Sequence, residues 1–338
     1  MMAPLQASVL CKTLILFCVC AQIQGISYYG DRVLYSDEDY DDAYEDLLDY
    51  ELSAAPMRNT PDKKFEKTSI RPQSFDNNES FIDKDHPIPE DVIVVLDKNT
   101  GIIRRQFGKG KFFMPHGIST DRDGNTWVTD VALHQVIKFG ENDTEPRMKL
   151  GEAFVPGGDE KHFCKPTDVA VASNGEFFVA DGYCNSRVLK FNRNGKVIAV
   201  IGEDDFSIPH NIILIEDQDT MCVADREDAR VICYGAGITA QGSTGRRLYS
   251  LEADSSAPIY AVDSDGRNVY AVTGYDADLN NEVSGLTFDL VTKQLIDRWG
   301  KELTTPHDLA VGNNGQSIYV SELYPPGIKK YRMERNEK

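Results

Sequence analysis

The sequence has no excess of basic residues. Its 338 residues include 36 Lys and Arg against 54 Asp and Glu, a formal net charge of −18. Nine of these acids, with a single arginine, fall in residues 31–50. A chain with this balance repels a phosphate backbone, which excludes nucleic acid as a partner. Residues 26–90 are predicted to be an acidic, largely disordered segment, either a solvated propeptide or spacer or a target of tyrosine sulfation.

Long apolar runs are missing as well. The apolar stretch at residues 14–21 is too short to span a bilayer but has the length of a signal-peptide core. We predict that residues 1–25 are a signal peptide, cleaved after residue 21 or residue 25. The protein is therefore expected to be secreted or to reside in the lumen of the secretory pathway, as a monomer with no membrane span.

Cysteine is sparse beyond the predicted signal peptide. Three of the seven cysteines lie within it, and the others are Cys164, Cys184, Cys222 and Cys233. An even number in an oxidising compartment predicts two disulfides. Four cysteines allow three connectivities, and the spacing alone leaves all three open.

Two glycosylation sequons agree with a secretory route. They begin at Asn78 and Asn142, and each has the form Asn-x-Ser or Asn-x-Thr. We predict glycosylation at these positions.

No long amphipathic helix pattern is found, and the chain instead repeats itself. A short proline-led opening recurs at intervals of 51, 43, 49 and 48 residues, a period typical of propellers and other arrays. The five openings are Pro115-His-Gly-Ile, Pro166-Thr-Asp-Val, Pro209-His-Asn-Ile, Pro258-Ile-Tyr-Ala and Pro306-His-Asp-Leu.

Each repeat contains further signals for short antiparallel strands. Turn pairs such as Asp123-Gly124 and Asn174-Gly175 precede β-rich runs, and third and fourth strand-like runs follow. Four such strands make one propeller blade. Two more strand-like runs, at residues 91–97 and 101–108, precede the first full repeat as part of a further blade. We therefore predict an all-β, six-bladed propeller over residues 91–334, with an incomplete first blade.

Histidine is also scarce, and its placement is informative. Three of the six histidines, His116, His210 and His307, directly follow the proline that opens a repeat. They occupy alternate repeats, with Thr167 and Ile259 at the intervening positions. The inner strands of a propeller line its axis, so these imidazoles are expected to converge on one point. Three imidazoles with an open fourth position suit a catalytic zinc ion. The remaining histidines, His86, His134 and His162, are interpreted as surface or packing residues.

Several motifs in order resemble the peptidyl-α-hydroxyglycine α-amidating lyase family, which has NHL-like repeats. The resemblance runs from about Val92 to Tyr331. The motifs are Met114-Pro-His-Gly-Ile-Ser, Trp127-Val-Thr-Asp-Val-Ala-Leu-His-Gln-Val, His162-Phe-Cys-Lys-Pro-Thr-Asp-Val-Ala-Val, Asp181-Gly-Tyr-Cys-Asn-Ser-Arg, Cys222-Val-Ala-Asp-Arg-Glu and Pro306-His-Asp-Leu-Ala.

The resemblance implies an enzyme for the second step of neuropeptide and hormone amidation. A peptidyl-α-hydroxyglycine, supplied by a peptidylglycine α-hydroxylating monooxygenase, is split into a peptide amide and glyoxylate. It further implies that His116, His210 and His307 bind zinc, that Tyr183 is the base, and that Arg226 binds the substrate carboxylate or orients Tyr183. It also implies structural calcium at Asp308 and the carbonyl of Ile118. The implied disulfides join Cys164 to Cys184 and Cys222 to Cys233.

Two departures from the family pattern support an alternative hypothesis. The inner strands of the family's first blade, which carry an essential arginine, have no counterpart before Ser74, and Thr305 stands where the family carries methionine. Arg58 and Arg71 lie nearby but outside the motif. The alternative is a catalytically weakened or inactive propeller that serves as a peptide- or protein-binding module.

Overall fold

The computed structural model describes residues 15–18, 74–253, 256–275, 282–312, 315–323 and 325–333. Within these residues the structure is built from β-strands, with two single-turn 3₁₀ helices at Glu216–Gln218 and Gln241–Ser243 and no α-helix. None of the described helices is long and apolar enough to cross a membrane.

The described strands form six antiparallel sheets. The first sheet contains β1 (Ile15–Cys18), β2 (Ile93–Leu96) and β3 (Ile103–Phe107). We number the following sheets as blades 2 to 6, so that the first sheet keeps position 1. Blade 2 contains β4 (Pro115–Thr120), β5 (Thr126–Asp130), β6 (Gln135–Phe139) and β7 (Pro146–Leu150). Blade 3 contains β8 (Asp168–Val171), β9 (Phe177–Asp181), β10 (Arg187–Phe191) and β11 (Val197–Ile201).

The last three blades complete the order. Blade 4 contains β12 (Pro209–Ile215), β13 (Thr220–Asp225), β14 (Arg230–Gly235) and β15 (Arg247–Glu252). Blade 5 contains β16 (Ile259–Ser264), β17 (Asn268–Thr273), β18 (Gly285–Asp289) and β19 (Leu295–Trp299). Blade 6 has three strands, β20 (Pro306–Gly312), β21 (Ser317–Glu322) and β22 (Gly327–Arg332).

This architecture confirms the predicted all-β propeller but corrects the six-bladed count. Five blades, rather than six, are built from the repeat. Residues 74–92 supply no inner strand for β2 and β3, because in the structure they form turns and bends with one isolated bridge, Phe75 to Phe81. The place beside β2 is taken by the backbone of β1.

The N-terminal predictions fall largely outside the described residues. Of residues 1–25, only the strand at Ile15–Cys18 is described, and the acidic run at residues 31–50 is not described. The signal peptide and the acidic segment therefore stay predictions. The sequon residues Asn78 and Asn142 are both exposed, and their glycosylation also stays a prediction.

The core lies between neighbouring blades. Because strand side chains alternate between the two faces of a sheet, each four-stranded blade can pack against both neighbours. Trp127 of blade 2 lies 4.7 Å from Phe177 of blade 3 between ring centroids, and both side chains are buried. Cys233, Val269 and Phe288 join blades 4 and 5 in the same way. Burying one large apolar side chain contributes about 2 kcal/mol, so the interfaces between blades hold the ring together.

Carboxylates at the ends of the second strands of blades 2, 3 and 4 accept hydrogen bonds from the chain that enters the inner strand of the same blade. Asp130 accepts hydrogen bonds from the backbone N–H groups of Phe113 (2.8 Å), Met114 (3.1 Å) and Leu133 (2.9 Å). The same role falls to Asp181, which accepts from Cys164 N–H at 2.7 Å, and to Asp225, which accepts from Ser207 N–H at 2.8 Å. These bonds set where each inner strand begins.

Both disulfides have the implied pairing. Cys164 and Cys184 join the entry to blade 3 with the loop after β9, and their Cα atoms are 5.4 Å apart. Cys222 and Cys233 lie directly opposite each other on β13 and β14. Two bonds of this kind agree with a protein of the secretory pathway.

The substitution Asp130→Ala tests the role of these carboxylates. It leaves three backbone donors in a buried region without their acceptor, so we expect the free energy of unfolding to fall by about 3 kcal/mol or more. Urea denaturation followed by tryptophan fluorescence measures this loss. The control Asp123→Ala removes an exposed acid from the adjacent turn and should change stability by less than about 0.5 kcal/mol. Equal losses in the two variants would refute the anchoring role of Asp130.

Candidate metal centre

The three repeat histidines lie at irregular points of their inner strands. The pairing register shifts between Pro115 and Ile118 in β4, between Pro209 and Asn211 in β12, and between Pro306 and Asp308 in β20. Each shift spans the histidine. A bulge of this kind turns a side chain away from the regular alternation of the strand, and bulges are frequent next to functional sites.

The bulged positions bring the three imidazoles together. His116, His210 and His307 each offer a ring nitrogen, and these atoms lie within 4.8 Å of one another. The ring centroids are 4.7 Å apart for His116 and His210, and 4.9 Å apart for each of the other two pairs. His210 and His307 are buried, and His116 is partly buried. Alternate blades therefore meet at one point, as the sequence predicted.

Backbone carbonyls hold two of the rings in one tautomer. His116 Nδ1 lies 2.7 Å from the carbonyl oxygen of Thr167, and His210 Nδ1 lies 2.7 Å from that of Tyr260. A carbonyl oxygen can only accept a hydrogen bond, so Nδ1 of each ring carries the proton and is the hydrogen-bond donor. The Nε2 lone pairs are then directed toward the common point. This arrangement, with each ligand's second nitrogen hydrogen-bonded, is that of histidines in protein zinc sites, so the residues fit such an ion.

Tyr183 reaches the same point from blade 3. Its hydroxyl oxygen lies 2.9 Å from His116 Nε2 and 3.2 Å from His210 Nε2. The loop after β9 carries it there, held by the adjacent disulfide at Cys184. Gly182 allows the close approach, because a Cβ at that position would lie 2.3 Å from the carbonyl oxygen of Pro209. Tyr183 is thus placed beside the histidines, as the resemblance implied.

Arg226 follows β13 and is buried beside the site. Its guanidinium carbon lies 5.5 Å from the ring centroid of Tyr183 and 5.2 Å from that of Tyr260, and its Nε donates to Glu227 at 2.8 Å. A buried cation next to the imidazole cluster can attract a substrate anion.

The residue in blade 5 differs from the one expected at the repeat position. In β16 the register shift lies between Ile259 and Ala261, so the bulged residue is Tyr260 rather than Ile259. Pro258 lies one residue before β16, whereas the prolines of blades 2, 4 and 6 are the first residues of their inner strands. Aligning the prolines therefore gave the wrong residue. The aromatic ring next to Ile259 was the available signal.

The remaining histidines are separate from the cluster. His86 is exposed and bonded to Asp83. His162 is bonded to Asp159. His134 is buried, and burial lowers its pKa to about 4, so it packs as a neutral ring.

A carboxylate-lined cavity of about 330 Å³ lies between the inner strands of the blades, including those that carry the histidines. Its lining includes Asp308 and Ile118, the residues implied for calcium, together with Asp168 and Asp263. Burial raises the pKa of Asp308 and of Asp263 to about 6. Burial, and next the charge of Asp308, raises the pKa of Asp168 well above its ordinary value. Oxygen donors whose charges disfavour one another suit a hard cation such as calcium.

Fold and site together define a β-propeller with an axial cluster of three histidines and an adjacent tyrosine. The NHL repeat model matches residues 163–191. The chain is 43% identical over 241 residues to peptidyl-alpha-hydroxyglycine alpha-amidating lyase 2 of Drosophila melanogaster, covering 70% of this chain and 59% of that one. It is 38% identical over 275 residues to a probable peptidyl-alpha-hydroxyglycine alpha-amidating lyase of Caenorhabditis elegans, covering 77% and 75%. The chain belongs to the peptidyl-α-hydroxyglycine α-amidating lyase family.

A longer relative and a solved structure complete the comparison. Peptidyl-glycine alpha-amidating monooxygenase B of Xenopus laevis is 40% identical over 282 residues, covering 78% of this chain and 31% of that one. This chain thus spans well under two thirds of the frog protein. A chain of a nidogen/laminin complex superposes with a TM-score of 0.56 at 12% identity, covering 73% of this chain and 87% of that one. The last likeness concerns the fold alone.

The substitution Asp263→Asn tests the buried carboxylates. A pKa raised from 3.8 to about 6 means that the native state binds this proton more tightly than the unfolded chain. The resulting stability is fully present below the unfolded pKa and is lost as the pH rises through 6. With a metal chelator present, we expect the melting temperature to fall between pH 5 and pH 7.5, and to fall less in the variant. The exposed control Asp297→Asn should leave the profile unchanged. If the melting temperature of Asp263→Asn varied with pH as that of the wild type does, the raised pKa would not belong to Asp263.

Proposed function

We propose that this protein cleaves peptidyl-α-hydroxyglycine into a C-terminally amidated peptide and glyoxylate. The observation that carries the proposal is the hydroxyl of Tyr183 within 3.2 Å of two members of the histidine cluster, in a chain of the lyase family. A base next to a site that polarises an alcohol is what this cleavage requires.

The residues of the site divide the reaction between them. Tyr183, as a phenolate, takes the proton of the substrate hydroxyl. The substrate oxygen then forms a carbonyl with its carbon as the C–N bond breaks, and the leaving nitrogen takes up the proton that Tyr183 removed, so that the amide forms and Tyr183 returns to the phenolate. Arg226 holds the carboxylate that ends up on glyoxylate. The hydrogen bonds that His116 and His210 donate to the backbone carbonyls of Thr167 and Tyr260 keep the Nε2 atoms of both histidines directed at the reacting centre.

We propose that His116, His210 and His307 hold zinc. The bound ion would act as a Lewis acid on the substrate hydroxyl and lower its pKa. The support is the donor set itself, three imidazole nitrogens within 4.8 Å of one another. A structural calcium ion is proposed for Asp308 and the carbonyl of Ile118, supported by the oxygen-lined cavity that both residues border.

The cellular setting follows from the chemistry. The α-hydroxyglycine substrate must come from a monooxygenase that hydroxylates C-terminal glycine. The relative from Xenopus laevis carries the name of such an enzyme. We propose functional coupling to such an activity, in the secretory pathway, for a glycosylated monomer.

Release of glyoxylate from a synthetic peptidyl-α-hydroxyglycine tests the activity. The wild-type protein should release it in a chelator-sensitive reaction. Tyr183→Phe, which removes only the hydroxyl, should retain its fold and metal and lose at least about a hundredfold in kcat. The control Tyr249→Phe, in the outer strand of blade 4, should keep full activity. No release by a folded, zinc-loaded wild-type protein would overturn the lyase and favour a binding module, whereas full turnover by Tyr183→Phe would remove Tyr183 from the mechanism.

Metal analysis tests the zinc site independently of turnover. We expect one zinc per protein after dialysis, and loss of it in His116→Ala, His210→Ala and His307→Ala, because two imidazoles hold the ion far more weakly than three. The surface variant His86→Ala serves as the control and should retain the metal. Stoichiometric zinc in any two of the three cluster variants would refute this ligand set.

A further inference from the structure

We propose that Tyr260 is a positioning residue that holds the Arg226 guanidinium for the substrate carboxylate. The inference rests on the proposed lyase function. It begins with the backbone, because Tyr260 occupies in blade 5 the bulged position that His116, His210 and His307 occupy in blades 2, 4 and 6. Its side chain is therefore directed to the axis by the same irregularity.

The contacts of the ring agree with this direction. The Tyr260 ring centroid lies 5.3 Å from that of His210 and 5.8 Å from that of His307, on the two neighbouring blades. Its own backbone carbonyl oxygen accepts a hydrogen bond from His210 Nδ1 at 2.7 Å. Tyr260 thus borders the histidine cluster with both its ring and its main chain.

Arg226 lies between two aromatic rings. Its guanidinium carbon is 5.2 Å from the Tyr260 centroid and 5.5 Å from the Tyr183 centroid, both within the range of cation–π attraction. A long arginine side chain loses rotamer freedom when two ring faces confine it, and its fork is then pre-organised for a carboxylate. One of the two rings belongs to the proposed base. The geometry therefore couples the carboxylate site to the proton-transfer site through the guanidinium.

The Tyr260 ring is itself held by a glycine. A Cβ at Gly274, in the connection after β17, would lie 2.1 Å from Cε2 of the ring. Only a residue without a side chain lets the ring lie flat on the backbone there. This contact provides a second way to displace the ring without changing Tyr260.

Three variants separate positioning from packing. Tyr260→Leu removes the aromatic face, Gly274→Ala pushes the intact ring aside, and Tyr260→Phe keeps the ring and removes the hydroxyl. Tyr249→Leu, in the outer strand of blade 4, is the matched control for loss of a partly buried tyrosine.

The measurements are KM, kcat, inhibition by the product glyoxylate, and zinc content. We expect Tyr260→Leu and Gly274→Ala to raise both KM and the glyoxylate inhibition constant about tenfold, with kcat changing less and zinc retained. Tyr260→Phe, which keeps the ring, should raise these two constants far less than Tyr260→Leu does, and Tyr249→Leu should remain within about twofold of the wild type. A substrate whose carboxylate is replaced by a neutral carboxamide should show no such dependence on Tyr260, because it lacks the anion that Arg226 binds.

The outcomes distinguish this inference from the lyase proposal. Absence of turnover by the wild-type protein would contradict the lyase proposal itself. Wild-type turnover with an unchanged glyoxylate constant in Tyr260→Leu, or in Gly274→Ala should the leucine variant not fold, would overturn the role of Tyr260 alone. Equal weakening of the carboxylate and carboxamide substrates would likewise overturn it, since that result is expected from a packing defect.

Discussion

Bonds from carboxylates to backbone N–H groups set the geometry on which the site depends. Asp130, Asp181 and Asp225 each end the second strand of a blade and accept hydrogen bonds from backbone N–H groups of the chain that enters an inner strand. Glu322 does the same in blade 6, where it accepts from the backbone N–H of Thr304. A histidine that follows such an anchored residue by two or three positions has little freedom in position. The convergence of three imidazoles from separate blades is a sum of these local constraints.

The inner strands carry two kinds of donor at different places along their length. The bulged histidines supply ring nitrogens at one level, and Asp308, which directly follows His307, and Asp168 of blade 3 supply carboxylates to the adjoining cavity. Consecutive side chains of a strand point in opposite directions, so one inner strand can contribute a histidine to the cluster and a carboxylate to the cavity. Because imidazole nitrogens favour a borderline cation and carboxylate oxygens favour a hard one, the two neighbouring donor sets differ in the class of cation that they suit.

Aromatic rings confine the guanidinium of Arg226 near the histidine cluster. Arg226 is buried beside an imidazole cluster whose rings are held as hydrogen-bonded neutral tautomers at His116 and His210. Tyr183 and Tyr260 bracket the guanidinium, while Glu227 accepts from its Nε. The cation, the hydroxyl of Tyr183 and the imidazole nitrogens are thus held close to one another through the ring of Tyr183. Preorganised groups of this kind need little rearrangement when charge develops on a substrate.

The sequence by itself determined the local parts of this protein. The proline-led repeat, the turn pairs and the alternating apolar runs predicted the blades, because strand and turn preferences are short-range. His116, His210 and His307 could be predicted as a cluster, since a residue at a fixed place in a repeat occupies a fixed place in a propeller. The family motifs implied Tyr183, Arg226 and both disulfide pairings, which composition and spacing had left open.

Only the tertiary structure decided what depends on register and on contacts between blades. Tyr260, not Ile259, faces the axis, because a one-residue shift in strand pairing reverses which side chain points inward. The partners of Arg226 come from blades 3 and 5, far apart in the chain, so no local pattern predicts them. The first sheet likewise depends on pairing across a long sequence separation, between Ile15–Cys18 and Ile93–Leu96. Local preferences determine where strands form, whereas packing decides which neighbours they meet.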